Sequence, residues 1–212
     1  ARIMALKTAI DSGYLYDSAN VPAYIYATNM GADVFSMSFY SDRVSAAEGD
    51  AIRYAAQNGV LPVAAAGNDY SATPYYPAGY EETLSVAAFG TNLLKTSWSN
   101  HGPSVDVSSP GTGLTATSAG GGYTAGFSGT SGACPQVAGL AALLKGANPS
   151  ATAVQVRTAI EDTAIPVNEA PFGEYCNYGR IDAEAAMDAI MGAPAPSKSP
   201  VVRYVSRLGA QL

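Results

Sequence analysis

Ser128-Gly129-Thr130-Ser131-Gly132-Ala133-Cys134-Pro135-Gln136-Val137-Ala138-Gly139 is the stretch on which the reading of this 212-residue chain turns. From Thr130 to Lys145 the residues are apolar nearly all round (Ala133, Val137, Ala138, Leu140, Leu143, Leu144), a pattern that predicts a buried helix. A serine between a Gly-Thr turn and such a helix stands where the first N–H groups lack an intrahelical acceptor. That end of a helix favours negative charge, so an alkoxide or oxyanion developing there is stabilised. Pro135 suits a first turn, where its missing N–H is no loss. Gly129 and Gly139 permit close backbone approach. Taken alone, Ser131 also reads as an ordinary helix cap.

Outward from the motif, strand-like and helix-like stretches alternate. The pattern predicts an α/β fold with a mostly parallel sheet and helices on both faces. Ala1–Lys7 reads as a first strand. Asp17–Asn29 reads as a helix capped by Ser18 or Asn20, with Pro22 in its first turn and Gly31 at its end. Ala32–Phe39 is a strand, and Ser45-Ala46-Ala47-Glu48 is a capping box opening a helix to about Asn58. Val60–Ala66 is a buried strand in which Pro62, unable to donate to a ladder, argues against full pairing. Thr83–Phe89 is a further strand, and Gly111–Ser128 reads as loops or short β structure. Ser150–Thr163 and Asp182–Met191 are amphipathic helices capped by Ser150 and Asp182. Residues 192–200 form a Pro-rich linker and 201–212 a tail, which leaves residues 1–191 as the domain.

Composition narrows the function classes. Hydrophobic residues make up 48% and charged residues only 13%, so a packed core is expected and disorder is not. The net charge of −6 provides no basic stripe for phosphates, which excludes nucleic acid as a partner and disfavours anionic membranes. No apolar run reaches the roughly 18 residues needed to span a bilayer. Cys134 and Cys176 are compatible with one disulfide or with buried thiols. Ala1-Arg2-Ile3 is neither a signal peptide nor a natural start, so the chain is expected to be processed or truncated.

The serine-bearing stretch resembles the motif of the subtilase family, Gly-Thr-Ser-x-Ala-x-Pro-x-Val-Ala-Gly. Each fixed position is met, at Gly129, Thr130, Ser131, Ala133, Pro135, Val137, Ala138 and Gly139. The resemblance runs from about Ala1 to Met191. It implies a subtilisin-like fold without its N-terminal strands, and a serine endopeptidase working through an acyl-enzyme. Ser131 would be the nucleophile. Asn68, in Ala64-Ala65-Ala66-Gly67-Asn68-Asp69, would supply the oxyanion amide. Asp33-Val34-Phe35-Ser36-Met37-Ser38 is similar to a family strand whose end lines the first specificity pocket, here Ser38, Phe39 and Tyr40. Ala65, Ala66 and Gly67 would form the opposite wall, and a tyrosine at position 40, where relatives have glycine, would narrow the pocket. Ser12, Gly13 and Tyr14 fall where relatives present an edge strand to the substrate backbone, so the expected partner is a peptide or protein bound by β-augmentation.

A subtilase triad runs Asp, His, Ser along the chain. Here the only histidine is His101, in a loop-like Ser-Asn-His-Gly-Pro context. The catalytic Asp and His are therefore expected on an upstream N-terminal segment, and this chain alone is expected to be inactive. Two other readings stand beside this one: a non-catalytic peptide-binding protein that keeps the groove, and a serine-carboxyl peptidase, which would carry Asp where Asn68 stands. An α/β-hydrolase is disfavoured because no His follows Ser131. No cofactor is expected. Calcium is admitted by the resemblance alone, since no loop carries a convincing cluster of oxygen ligands. A secreted or extracellular setting is likewise implied by the family.

Overall fold

A computed structural model describes residues 1–10, 13–167 and 175–192. The elements in chain order are α1 (Asp17–Asn29), β1 (Val34–Met37), α2 (Ala46–Gln57), β2 (Leu61–Ala65), β3 (Leu84–Phe89), β4 (Val107–Pro110), β5 (Leu114–Thr117), β6 (Tyr123–Phe127), α3 (Thr130–Ala147), α4 (Ala153–Thr163), β7 (Gly179–Arg180) and α5 (Ala183–Ile190). Five strands form one sheet in the order β1-β2-β3-β4-β7, and each of the four pairings is parallel. β5 and β6 make a separate antiparallel ribbon.

Alternation along the strands builds a core on each face, as the period of two requires. Leu61, Val63 and Ala65 of β2, with Leu84, Val86 and Ala88 of β3, pack against α3, α4 and α5. Ala64 turns to the other face and joins Phe35, Met37, Tyr24 of α1 and Ile52 of α2. The α/β fold with helices on both faces is therefore as expected.

Several local expectations give way. Ala1–Lys7 forms no strand and lies exposed. Among the described residues the sheet ends at β1, and this segment adds no strand to that edge. β2 is paired on both sides despite Pro62, because pairing to β3 starts one residue later, at Val63 opposite Leu84. Neither Ser18 nor Asn20 caps α1. The helix starts from an extended Tyr16 without a side-chain cap, and Asn20 is buried on it. Thr152, not Ser150, caps α4, with Gln155 completing a reciprocal box; Ser150 instead donates to Asn148 Oδ1. Asp182 caps α5 as read. Both cysteines are buried and they are not joined in a disulfide. Residues 193–200 of the linker and the 201–212 tail lie outside the described residues. No described helix is long and apolar enough to cross a membrane.

Candidate active site

β2 ends at Ala65, and the chain turns through Gly67, at φ +111°, to deliver Asn68 at the carboxyl edge of the sheet. Open α/β sheets offer their ligand sites at this edge. A side chain at Gly67 would run into the Asn100 amide, so only glycine lets the two loops approach. The Asn100 side chain fastens the turn: Oδ1 accepts from Asp69 N and Ser71 N, each at 3.0 Å, and Nδ2 donates to Ala66 O at 2.8 Å. Nothing in the sequence flagged Asn100 beyond its loop context.

α3 starts directly beside this turn. Thr130 donates to Asn68 Oδ1 twice, from its backbone N–H and from its hydroxyl, each at 2.9 Å. The same hydroxyl accepts from Gly67 N at 3.2 Å. With both donors on Oδ1, the amide nitrogen of Asn68 is turned the other way. Gly129, at φ 149° and ψ 158°, leaves open the space that this nitrogen faces. From the point where a Cβ on Gly129 would stand, Ser131 N lies at 3.6 Å, Asn68 Nδ2 at 3.8 Å and Ser131 Cβ at 3.9 Å. Two donors and a hydroxyl-bearing side chain thus surround one small empty volume at a helix N-terminus, where negative charge is favoured.

The expectation that Pro135 sits in the first turn is corrected. α3 begins at Thr130, so Pro135 falls in the second turn, where an N–H would bond Ser131 O. Proline has none, and Ser38 takes the carbonyl instead: Ser38 Oγ donates to Ser131 O at 2.9 Å. Ser131 Oγ donates in turn to Ser38 O at 3.1 Å, so it does not cap the helix. The end of β1 and the start of α3 are clasped by this pair. Cys134 lies beneath, buried among Val63 O, Met37 O and Ser36 Oγ, and burial pushes its thiol up to about 11.

Phe39 and Tyr40 follow Ser38 out of the sheet and line an open groove of about 1020 Å³, together with Gly13 and Tyr14. Ser131 and Asn68 are not part of its lining. Tyr40 leans on Tyr75 with ring centres 5.3 Å apart, and its hydroxyl reaches Asp69 and Asn68. Its phenol is raised by burial and by the Asp69 carboxylate. Ala65 and Ala66, expected as a pocket wall, have their side chains fully buried in the core, so only their backbone is available to a ligand. Ser12 lies outside the described residues. His101 stacks on Tyr70 at 4.9 Å in its loop, and burial and Lys95 lower its pKa.

At the floor of the groove the expected capping box is only half formed. Ser45 Oγ accepts from Glu48 N at 3.2 Å, as a capping box requires, but the reciprocal half is missing. Ser45 N donates to the Tyr80 hydroxyl instead. The Glu48 carboxylate accepts from Tyr24 at 3.1 Å and Tyr80 at 3.4 Å. Its carboxyl is raised above the ordinary value, chiefly by burial.

The pattern for the subtilase family matches residues 1–193. The chain belongs to the subtilase family. A thermophilic serine proteinase of Bacillus sp. (strain AK1) is 41% identical over 189 residues, covering 88% of this chain and 45% of that protein. Thermitase of Thermoactinomyces vulgaris is 37% identical over 187 residues, covering 88% and 65%. The chain thus spans less than half of the first of these relatives. Among solved structures, the prenylagaramide maturation protease PagA superposes with a TM-score of 0.79 at 27% identity, covering 88% of this chain and 72% of that one. The subtilisin-like α/β fold expected from the motif is shared with it.

Proposed function

We propose that this subtilase chain carries the nucleophile and oxyanion hole of a serine endopeptidase. The observation that carries the reading is the volume at Gly129, bordered by Ser131 N, Asn68 Nδ2 and Ser131 Cβ within 4 Å. A scissile carbonyl oxygen seated there would meet two N–H donors as it becomes an oxyanion, the arrangement that lowers acyl-transfer barriers most. Ser131 Oγ attacks the carbonyl carbon and gives its proton to an imidazole. The tetrahedral oxyanion is held by the Ser131 N–H and the Asn68 amide. Its collapse passes the proton to the leaving amine and leaves an acyl-enzyme, which water hydrolyses by the reverse sequence.

The imidazole and the carboxylate that orients it come from residues outside this chain. Ser131 Oγ rests on a carbonyl, which accepts a hydrogen bond but takes no proton, and His101 is engaged with Tyr70. In this reading the chain is inert by itself. The outer edge of β1 is the natural seat for a strand of the segment that brings the base. The substrate is a peptide or protein segment, running over Ser38, Phe39 and Tyr40, past the backbone of Ala65, Ala66 and Gly67, and along Gly13 and Tyr14. Action outside the cell belongs to the same proposal. Asn68, an amide that donates, favours this chemistry over a serine-carboxyl peptidase.

The test uses the full-length protein with a fluorophosphonate probe. Labelling that maps to the Ser131 peptide, with peptide hydrolysis abolished in Ser131→Ala, is the expected result. Hydrolysis that persists in Ser131→Ala removes this residue from the reaction.

A further inference from the structure

We propose that the groove beside the nucleophile accepts a cationic side chain of the substrate, arginine or lysine, with the Glu48 carboxylate and Asn20 Oδ1 as its acceptors. The proposal rests on the peptidase reading for what enters the groove.

The groove is lined by Asp17, Asp42, Glu48 and Asp69, against which Arg43 is the one basic residue of the lining. Charge of one sign in a concave site concentrates ligands of the other. At the floor the chemistry is more specific than charge. Asn20 is 4% exposed, and its Oδ1 has no hydrogen-bond partner. A buried acceptor of this kind costs free energy until a donor arrives. Glu48, 5% exposed, lies beside it and interacts with the Asn20 amide. The tyrosine hydroxyls of Tyr24 and Tyr80 orient the carboxylate but bring no charge to offset it. What the floor lacks is a donor that is also a cation. Its burial raises the Glu48 carboxyl, and a bound cation would relieve that cost.

A guanidinium or ammonium on a peptide fits better than a metal ion. No three His, Cys, Asp or Glu side chains among the described residues converge as a metal site requires. Two acceptors from different side chains suit the forked donors of arginine, and lysine satisfies them one at a time. The volume of about 1020 Å³ is large enough for several residues of peptide. The groove also joins the reacting centre: Tyr40 lines it and touches Asn68, while Ser38, two residues earlier, is clasped to Ser131. A chain held at Ser131 therefore lies across the mouth of the groove.

Full-length protein carrying Ser131→Ala is titrated with fluorescein-labelled peptides, scanning arginine, lysine and norleucine through each position, with anisotropy as the readout. One position is expected to prefer the basic residues by about tenfold or more. That ratio should collapse toward one when Glu48→Gln is added and widen with Asn20→Asp. Glu48→Gln keeps the shape and leaves both tyrosines an acceptor. Should it fail to fold, Asn20→Asp reads the same ratio in the opposite direction. Equal binding of basic and norleucine peptides at every position overturns the proposal, as does a ratio that neither substitution moves. Calcium that displaces the arginine peptide from the groove overturns it too. Hydrolysis by the unmutated protein separates the two readings. A basic preference in binding without any cleavage leaves the groove assignment standing and sinks the peptidase, and cleavage with no basic preference does the reverse.

Discussion

Gly129→Ala puts one methyl group into the volume that the proposed chemistry needs empty. Its carbon would stand 3.6 Å from Ser131 N, 3.8 Å from Asn68 Nδ2 and 3.9 Å from Ser131 Cβ. These are ordinary contact distances, so the methyl fits without pushing its neighbours. The conformational cost is a separate quantity. Gly129 sits at φ 149°, ψ 158°, a region used almost only by glycine, and a side chain there costs of order 1–3 kcal/mol. For a domain of this size each kcal/mol lowers Tm by about 2–4 °C, so the melting point should drop by roughly 2–12 °C. The effect on rate should be far larger. An oxyanion must come to about 2.7–3.1 Å from its donors, inside the space that the methyl occupies. In a subtilisin, loss of the oxyanion-hole amide alone costs about 10²–10³ in kcat. Blocking the approach to both donors should cost at least as much. The assay is kcat/KM on a peptide anilide with the full-length protein, paired with thermal denaturation of the same preparations. A folded alanine variant with unimpaired kcat would refute the assignment of this space to the oxyanion.

Three further outcomes follow from the same geometry. Thr130→Val removes the hydroxyl that holds Asn68 Oδ1 and leaves the Gly67 N–H without an acceptor, at a cost of about 1–3 kcal/mol in denaturant titrations. Its kcat should fall with KM little changed, and an unaffected kcat would mean that the amide needs no such anchor. Glu48 titrates above its ordinary 4.5 in the folded protein because it is buried, so the native state holds a proton that the unfolded chain has already released. Stability relative to Glu48→Gln should be greatest below pH 4.5 and decline as pH rises toward the folded-state value, as read from paired Tm measurements. A difference that grows with pH instead contradicts the burial argument. Cys134, with its thiol pushed up to about 11, should resist iodoacetamide at pH 8 in the native protein and react once unfolded. Peptide mapping of rapid native alkylation at Cys134 would contradict its burial.

What could be read from the sequence was what depends on short stretches. Continuous apolar runs located β2, β3 and α3, because an element buried on more than one face carries few polar residues to interrupt the run. The Gly-Thr-Ser start of α3 and the Gly-Asn end of β2 were legible because turn and helix-start chemistry is local. The groove floor was not, since Asn20 and Glu48 each have a local use as helix-start residues. Their actual neighbours, Tyr24 and Tyr80 among them, are brought together only by packing α1 against α2 and the loop after β2. For Ala1–Lys7 the gap is complementary: strand propensity does not choose a partner, and this segment adds no strand to the edge at β1.

Pro135 joins the two levels. In a helix starting at Thr130, the carbonyl of Ser131 is owed a hydrogen bond from the residue four places on, and that residue is the one type unable to give it. In a solitary helix this is a defect that costs about 3 kcal/mol. Here the free carbonyl accepts from Ser38 Oγ while Ser131 Oγ donates to Ser38 O, so the missing helix bond becomes a cross-link from the end of β1 to the start of α3. The strand that leads into the groove and the helix that carries the hydroxyl are thereby held in register. A proline in the second turn is then better understood as part of how the site is built than as a tolerated irregularity of the helix.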